Sequence, residues 1–453
     1  MNTCNIYRYD DTFCAKSKSN SYRYSFIVSV LILLLPFLRY YDLPFTSIGF
    51  SSFLFFIILI FLILIAFGTK KPRKNKSANS KSRFWWGIFL LWTTFITALF
   101  YFNNKSANFL AATNTIVIMA AVGLILFLTL SNSFELKPFL QIYDFFISIC
   151  IIVYAIQWLL FASGIIISFQ VPFLNYNDSW EGLKTNIFGM TPLPCSLFSE
   201  KSHLCNFILP YLALRLFARI KTKNLLTNPI VLSFVLLSTI SGNGIIGSLI
   251  VWLLFFLFFG KIKGFKRIMV ICSGAALLVL IYFVLLKIEV FSDMFSELFV
   301  DNSGSAYHHT KADYRIYRGF DIFGMLPTVN KFIGVGYNQA EVFSKAHGIV
   351  SIYDQDTLAY EYFSMISAII IYTGLFGLFF YLLHLWYLFK GGNKVTKGLV
   401  VLFVAIMFST SMLFLETQII YTLMIAYSTK MVASSEKAKS YEKCWGYYNT
   451  LRC

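Results

Sequence analysis

The sequence predicts an all-α polytopic membrane protein with about twelve transmembrane helices. The 453-residue chain is 58% hydrophobic and only 13% charged, and its mean hydropathy is +0.69. Many of its apolar runs are long enough to cross a hydrocarbon core of about 30 Å as helices. Basic residues outnumber acidic ones by 38 to 21, but they cluster in short loops between these runs. That distribution is typical of cytoplasmic loops and argues against a nucleic-acid partner.

The apolar runs divide the chain into spans that form a single transmembrane domain, residues 1–453. The strongly basic loop 68–83 is predicted to be cytoplasmic. Residues 229–260 fit either one long crossing or a hairpin of two short helices that turns at "SGNG". Only the hairpin places the basic stretch "KIKGFKR", 261–267, on the cytoplasmic side, and it also places both chain termini there. The predicted spans are 24–39, 47–68, 84–102, 108–130, 143–168, 204–218, 229–241, 243–260, 268–288, 362–389, 399–415 and 417–433.

Two larger hydrophilic segments, 169–203 and 289–361, then face outward, the second of them between spans nine and ten. Charged residues inside the spans are few, which argues against a proton-driven transporter. His384 stands alone in an apolar span and is predicted to be a packed residue with a hydrogen-bond partner. The eight cysteines show no paired spacing, so the sequence indicates neither a metal site nor a disulfide framework.

The outer segment 289–361 contains "KADYRIYRGF", in which Arg315 and Arg318 are three residues apart. On a helix these two side chains share a face, and their planar guanidinium groups match the oxygens of a diphosphate. The alternative is that Asp313 and Asp321 neutralise them in ordinary salt bridges. His308, which precedes them with His309, is a candidate base near neutral pH, although adjacent histidines also occur as plain loop residues.

Other candidates lie in both outer segments. In "FIGVGYNQ", Gly334 and Gly336 permit a tight turn or a close approach of the backbone to a ligand. Asp356 lies at the mouth of the tenth span, where a carboxylate is placed to accept a proton from a substrate hydroxyl. Glu200 directly precedes the short sixth span, and Pro210 inside that span indicates a broken or tilted helix.

Taken in order, four stretches resemble the O-antigen polymerase and ligase superfamily of membrane glycosyltransferases. They cover roughly residues 190–390, and the number of predicted spans agrees with the family. Four features of the family have a similar counterpart here. They are a Glu stretch before a span, a Ser/Gly hairpin, a long-loop Arg followed by Gly-x-Gly, and a span marked by glycines. These counterparts are "LFSEKSHLCNFILPYLAL", "LLSTISGNGIIGSLIVWLL", "ADYRIYRGF" with "FIGVG", and "YTGLFGLFFYLL".

The resemblance implies transfer of a glycan from undecaprenyl diphosphate to an acceptor sugar hydroxyl, without a metal or cofactor. The reaction is expected at the periplasmic face of a bacterial inner membrane, with a flippase and a chain-length regulator of the same pathway as partners. Arg315 matches the long-loop arginine, which holds the diphosphate, and Glu200 matches the acidic position before the sixth span. The expected catalytic residues are Arg315, Glu200 and His308, and the expected substrate-binding residues are Arg318, His309, Gly334, Gly336, Tyr317 and Asp356.

Polymerase is favoured over three alternatives. Ligases of the family carry a histidine shortly before the glycine-marked span, and residues 362–364 at that spacing are Tyr, Phe and Ser. A flippase is expected to carry cations in its central spans and to have only short loops, and this chain shows the reverse. A solute transporter is expected to show a repeat between its two halves, and the two large loops have no symmetric counterparts. The general base stays open among Glu200, His308, His309, Asp356 and Glu361. Tyrosines of the outer segments, among them Tyr317 and Tyr337, are candidates for stacking on sugar rings.

Overall fold

A computed structural model describes most of the predicted helical regions. The described residues are 15–43, 49–68, 79–103, 119–120, 122–125, 134–163, 175–176, 194–198, 200–220, 224–239, 241–259, 269, 311–337, 339–351, 363–408 and 419–425. The helices are α1 Ala15–Leu38, α2 Phe50–Gly68, α3 Asn79–Asn103, α4 Lys137–Ala162, α5 Lys201–Phe217, α6 Pro229–Ser238, α7 Gly242–Leu254, α8 Lys311–Met325, α9 Thr328–Ile333, α10 Ala340–His347, α11 Met365–Gly391 and α12 Lys394–Ile406. A π-helical turn, Phe255–Phe259, extends α7, and two short strands, β1 Tyr41–Asp42 and β2 Asn175–Tyr176, pair antiparallel.

The described residues are mostly helical, as the sequence predicts for a membrane protein. Five helices are long and apolar enough to cross a membrane, and each coincides with a predicted span. Two shorter apolar helices, Tyr22–Leu38 and Pro229–Ser238, fall on two more. The predicted span 268–288 lies almost wholly outside the described residues, as does most of 108–130 and of 417–433. The five long segments are Phe50–Phe67, Lys81–Phe102, Lys137–Leu160, Gly242–Phe259 and Met365–Gly391.

Residues 229–259 form a hairpin of two helices, α6 and α7. The Nε1–H of Trp252 in α7 donates a hydrogen bond to Ser233 Oγ in α6 at 2.9 Å. In one continuous helix, residues 19 positions apart would be separated by about 28 Å along the axis. The two-helix interpretation is therefore confirmed, and the single long crossing is excluded.

The hairpin packs against α5 through small residues. A Cβ atom at Gly244 would lie 2.7 Å from Cys205 Sγ, and one at Gly247 would lie 2.5 Å from Leu209 Cδ2. Both distances are shorter than a normal van der Waals contact, so only glycine allows α7 to approach α5 this closely. The hairpin thus covers the middle of α5, while the first turn of α5 meets a different part of the chain.

The beginning of α5 packs against the end of α1. Phe37 of α1 packs on Phe198 and Phe207, with ring centroids 4.8 and 5.2 Å away. Aromatic contacts of this kind stabilise a packed interface beyond the area they bury. The chain leaves α1 through Tyr40 and enters β1, which the pairing with β2 fixes. Tyr40 is consequently held beside the beginning of α5.

The helix α11 contains a break in its backbone at Gly374, where φ is +67° and ψ is −174°. Near the break, the carbonyl oxygens of Ile371 and Tyr372 accept hydrogen bonds from backbone N–H groups outside the helix. Val335 donates to Ile371 and Gly336 donates to Tyr372, each at 3.0 Å. A backbone carbonyl without a partner is costly within a membrane, so a break of this kind requires such donors. The segment "FIGVG" supplies two of them.

A third donor comes from α3. The indole Nε1–H of Trp92 donates to the carbonyl oxygen of Thr373 at 2.8 Å. On the same helix, Thr97 Oγ1 accepts from the backbone N–H of Tyr337 at 2.9 Å. The break in α11 is therefore stabilised from two sides, by α3 and by the segment that follows α9.

His384 lies in the second half of α11 and contacts the start of α3. Its Nδ1 is 3.0 Å from Ser82 Oγ and 3.0 Å from the Ser82 carbonyl oxygen. The imidazole also packs on the indole of Trp86, with ring centroids 4.9 Å apart. The prediction of a packed histidine with a hydrogen-bond partner is confirmed.

Candidate functional site

Arg315 and Arg318 both lie in α8, so the helical spacing predicted for them is present in the backbone. The side chain of Arg318 is 0% exposed, and its guanidinium carbon is 5.7 Å from the ring centroid of Phe363. Phe363 lies just before α11. The side chain of Arg315 is outside the described residues. Within residues 289–361, a buried guanidinium therefore lies at the beginning of a helix that is long and apolar enough to cross a membrane.

Gly319 brings α8 into contact with this helix start. A Cβ atom at Gly319 would lie 2.3 Å from Ser367 Oγ and 3.3 Å from Phe363 Cδ1. Ser364 caps α11 by accepting a hydrogen bond from the backbone N–H of Ser367. Because any side chain at position 319 would separate the two helices, the "RGF" sequence is what allows Arg318 to be buried there.

The structure describes the side chain of only one of the two carboxylates, Asp313 and Asp321, that are the predicted salt-bridge partners of the arginines. Asp321 Oδ2 accepts a hydrogen bond from Ser351 Oγ at 2.6 Å, which joins α8 to the residues after α10. The side chain of Asp313 lies outside the described residues. Asp321 therefore has a structural role that the sequence did not suggest.

Gly334 and Gly336 both make close backbone approaches to other parts of the protein, Gly334 to α11 and Gly336 to α3. Both have positive φ angles, +89° and +88°. A Cβ atom at Gly334 would lie 2.3 Å from the carbonyl oxygen of Tyr372, and one at Gly336 would lie 3.3 Å from Thr97 Cα. The packing of the chain on itself thus accounts for both glycines.

Two tyrosines of this segment differ in accessibility. Tyr337 is buried, and its ring centroid is 4.9 Å from that of Tyr372. Burial raises the pKa of the Tyr337 hydroxyl well above its usual range, and the neighbouring Tyr372 and Tyr381 raise it further. Tyr317, in contrast, is 54% exposed. Of these two, Tyr317 has the exposure that stacking on a sugar ring requires.

At the start of α5, Glu200 is one member of a polar group. Its Oε2 accepts a hydrogen bond from Ser202 Oγ at 2.8 Å and lies 3.8 Å from His203 Nε2. The other ring nitrogen of His203, Nδ1, is hydrogen-bonded to the hydroxyl of Tyr40. The two rings stack with centroids 5.6 Å apart and an interplanar angle of 11°. The side chains of Glu200, His203 and Tyr40 are therefore in contact in that order.

Burial of these three side chains increases from Glu200 through His203 to Tyr40. The Glu200 side chain is 26% exposed and that of His203 is 5% exposed, whereas Tyr40 is fully buried. Sequence reasoning selected Glu200 but gave no role to His203 or Tyr40. The Glu-x-x-His spacing at a helix start was a usable signal for His203, since residues three apart share a helix face. Tyr40 is 163 positions away in sequence, so no local pattern pointed to it.

Several expected site residues are not placed by the structure. His308, His309, Asp356 and Glu361 lie outside the described residues. Of the expected catalytic residues, Glu200 is the one whose side chain is described. Comparison of the sequence with protein-family models and with curated proteins finds no match.

Proposed function

We propose that this protein is a glycan polymerase of the O-antigen polymerase type. It transfers a glycan from undecaprenyl diphosphate to the sugar hydroxyl of another lipid-linked repeat unit. The reaction takes place at the periplasmic face of a bacterial inner membrane. The proposal includes about twelve spans with both termini in the cytoplasm, which is the arrangement that the distribution of basic residues favours.

The observation that supports this function best is the position of the Arg315–Arg318 pair. Arg318 is buried where α8 meets the start of α11, and Arg315 precedes it by one turn. A guanidinium excluded from water interacts more strongly with an anion than one in solvent does. A diphosphate leaving group gains negative charge as its bond to the sugar breaks, and donors already in place stabilise that charge.

In this proposal Arg315 contacts the diphosphate, and the positive charge of Arg318 adds to the electrostatic potential that stabilises the diphosphate. Tyr317, between them in sequence, is exposed, and in this proposal its ring stacks on a sugar. His308, His309 and Asp356 remain candidates for contacts with the substrate. The proposed partners in the membrane are the flippase that delivers the repeat unit and a regulator of chain length.

Deletion of the gene tests the function directly. A polymerase deletion is expected to leave surface lipid carrying a single repeat unit, because export and ligation continue while elongation stops. The measurement is the ladder of surface polysaccharide on a gel, with the wild-type gene restored as the control. Surface lipid with no repeat unit at all would instead indicate a ligase or a flippase, and an unchanged ladder would exclude all three functions.

A further inference from the structure

The outer end of α5 carries a second polar feature next to Glu200 and His203. Asn206 follows His203 by three residues, so the three side chains lie along one face of the helix. The Asn206 side chain is buried, with the residue only 4% exposed. Within the part of the chain that the structure describes, neither its Oδ1 nor its Nδ2 has a hydrogen-bond partner.

Such a residue is unfavourable for folding alone. Burying an amide without a hydrogen bond costs roughly 1–3 kcal/mol by mutational data, and leucine of similar size would avoid this cost. The neighbouring residues on α5 are apolar and fully buried, among them Cys205, Phe207 and Ile208. An amide in this apolar surrounding indicates a polar partner that the described part of the chain does not provide, such as a hydroxyl group.

We propose that Glu200, His203 and Asn206 form the site that binds and activates the acceptor hydroxyl. This inference rests on the proposed polymerase function and names the general base that the sequence left open. Glu200 is the proton acceptor, because its carboxylate is the exposed member of the group. Asn206 is a ligand for the acceptor sugar, and an amide both donates to and accepts from sugar hydroxyls.

His203 and Tyr40 are positioning residues. The hydroxyl of Tyr40 is hydrogen-bonded to Nδ1 of His203. This contact orients the ring so that its Nε2 lies 3.8 Å from Oε2 of Glu200. That distance is too long for a direct hydrogen bond, so the imidazole lies beside the carboxylate without sharing a proton with it. The carboxylate is fixed from the other side by Ser202. The buried pair thus sets the position of a carboxylate that is itself open to substrate.

The step balances as a direct displacement. The acceptor oxygen forms a bond to the anomeric carbon of the lipid-linked glycan while the bond from that carbon to the diphosphate oxygen breaks. The bonding electrons leave with undecaprenyl diphosphate, and the hydroxyl proton goes to Glu200. No oxidant, reductant or further reactant is needed.

The experiment compares variants in membranes supplied with lipid-linked repeat units extracted from the deletion strain. Glu200→Gln keeps the shape and an acceptor for Ser202 but removes the base, so kcat is expected to fall about 100-fold or more. Glu200→Asp is expected to restore part of this loss. Tyr40→Phe and His203→Gln are expected to lower kcat about tenfold at an unchanged KM, because they act only on the position of Glu200.

Asn206→Leu separates binding from folding. A buried amide that serves neither substrate nor fold would give a protein of equal or greater abundance with wild-type kinetics. The proposal instead expects normal abundance and a KM for the lipid-linked repeat unit raised about tenfold. Glu341→Gln, which changes an exposed carboxylate paired with Lys345 on α10, is the matched control and is expected to have no effect.

The failures are distinguishable. If the deletion strain shows single-repeat surface lipid but Glu200→Gln polymerises within twofold of wild type, this site is wrong and the polymerase function stands. Wild-type kinetics for Asn206→Leu would remove Asn206 from the acceptor site. If the deletion strain lacks the single-repeat product, the proposed function itself fails.

Discussion

Replacing Gly334 or Gly374 with alanine is expected to destabilise the protein by at least about 3 kcal/mol in each case. Both glycines combine a positive φ, +89° and +67°, with a ψ of −176° and −174°, a backbone region essentially confined to glycine that costs an L-residue roughly 1–3 kcal/mol. A Cβ atom at Gly374 would also lie 2.2 Å from the carbonyl oxygen of Phe332, and one at Gly334 would lie 2.3 Å from that of Tyr372. These contacts are with backbone, so no side-chain rotation relieves them.

Two further glycines without steric overlap serve as references, one in the left-handed helical region and one inside a helix. Gly348 also has a positive φ, +62°, but nothing lies within 4 Å of its Cβ position, so Gly348→Ala is expected to cost about 1 kcal/mol. Gly324 is in α8 with open space around it, so Gly324→Ala is expected to be neutral or stabilising by up to about 1 kcal/mol. The measurement is the midpoint of thermal unfolding in detergent. Equal midpoints for Gly374→Ala and Gly348→Ala would contradict the packing of "FIGVG" against α11.

Replacing Arg315 with alanine is expected to reduce polymerisation about 100-fold or more, because it removes a donor to the charge that develops on the diphosphate. Arg315→Lys is expected to retain part of the activity, since an ammonium keeps the charge but lacks the planar fork of donors. Arg318→Ala is expected to abolish activity as well, and also to lower protein abundance, because its side chain is fully buried against Phe363. The readout is the surface ladder, normalised to the amount of protein in the membrane.

Lys345→Ala is the control for the arginine series. Lys345 is a cation in α10, which also lies within residues 289–361, and its side chain is 54% exposed. Its loss is expected to leave the ladder unchanged, because exposed charges contribute little to stability and this one is paired with Glu341. An unchanged ladder for both Arg315→Ala and Arg318→Ala would show that "KADYRIYRGF" has no part in the reaction.

The sequence predicts those parts of the fold that depend on local hydrophobicity. The five long apolar helices fall where hydropathy places them, and the charge of "KIKGFKR" correctly favours the α6–α7 hairpin. The helical spacing of Arg315 and Arg318 is likewise local and is present in α8. These features follow from residues that are neighbours in sequence.

Features that depend on distant partners could not be predicted in this way. The break at Gly374 requires donors from Val335 and Gly336, and "YTGLFG" alone does not reveal them. The complete burial of Arg318 runs against the usual exposure of arginine and depends on Gly319, which removes the side chain that would separate α8 from α11. The contact between Tyr40 and His203 joins two regions 163 positions apart.

The measurement that tests the central claim most directly is polymerisation by the purified protein in liposomes. The substrate is the lipid-linked repeat unit extracted from the deletion strain. The expected products are lipid-linked chains of two or more repeat units, with one undecaprenyl diphosphate released for each new glycosidic bond. Substrate that remains a single unit, while the same preparation carries it across the bilayer or transfers it to a lipid core, would contradict the polymerase function.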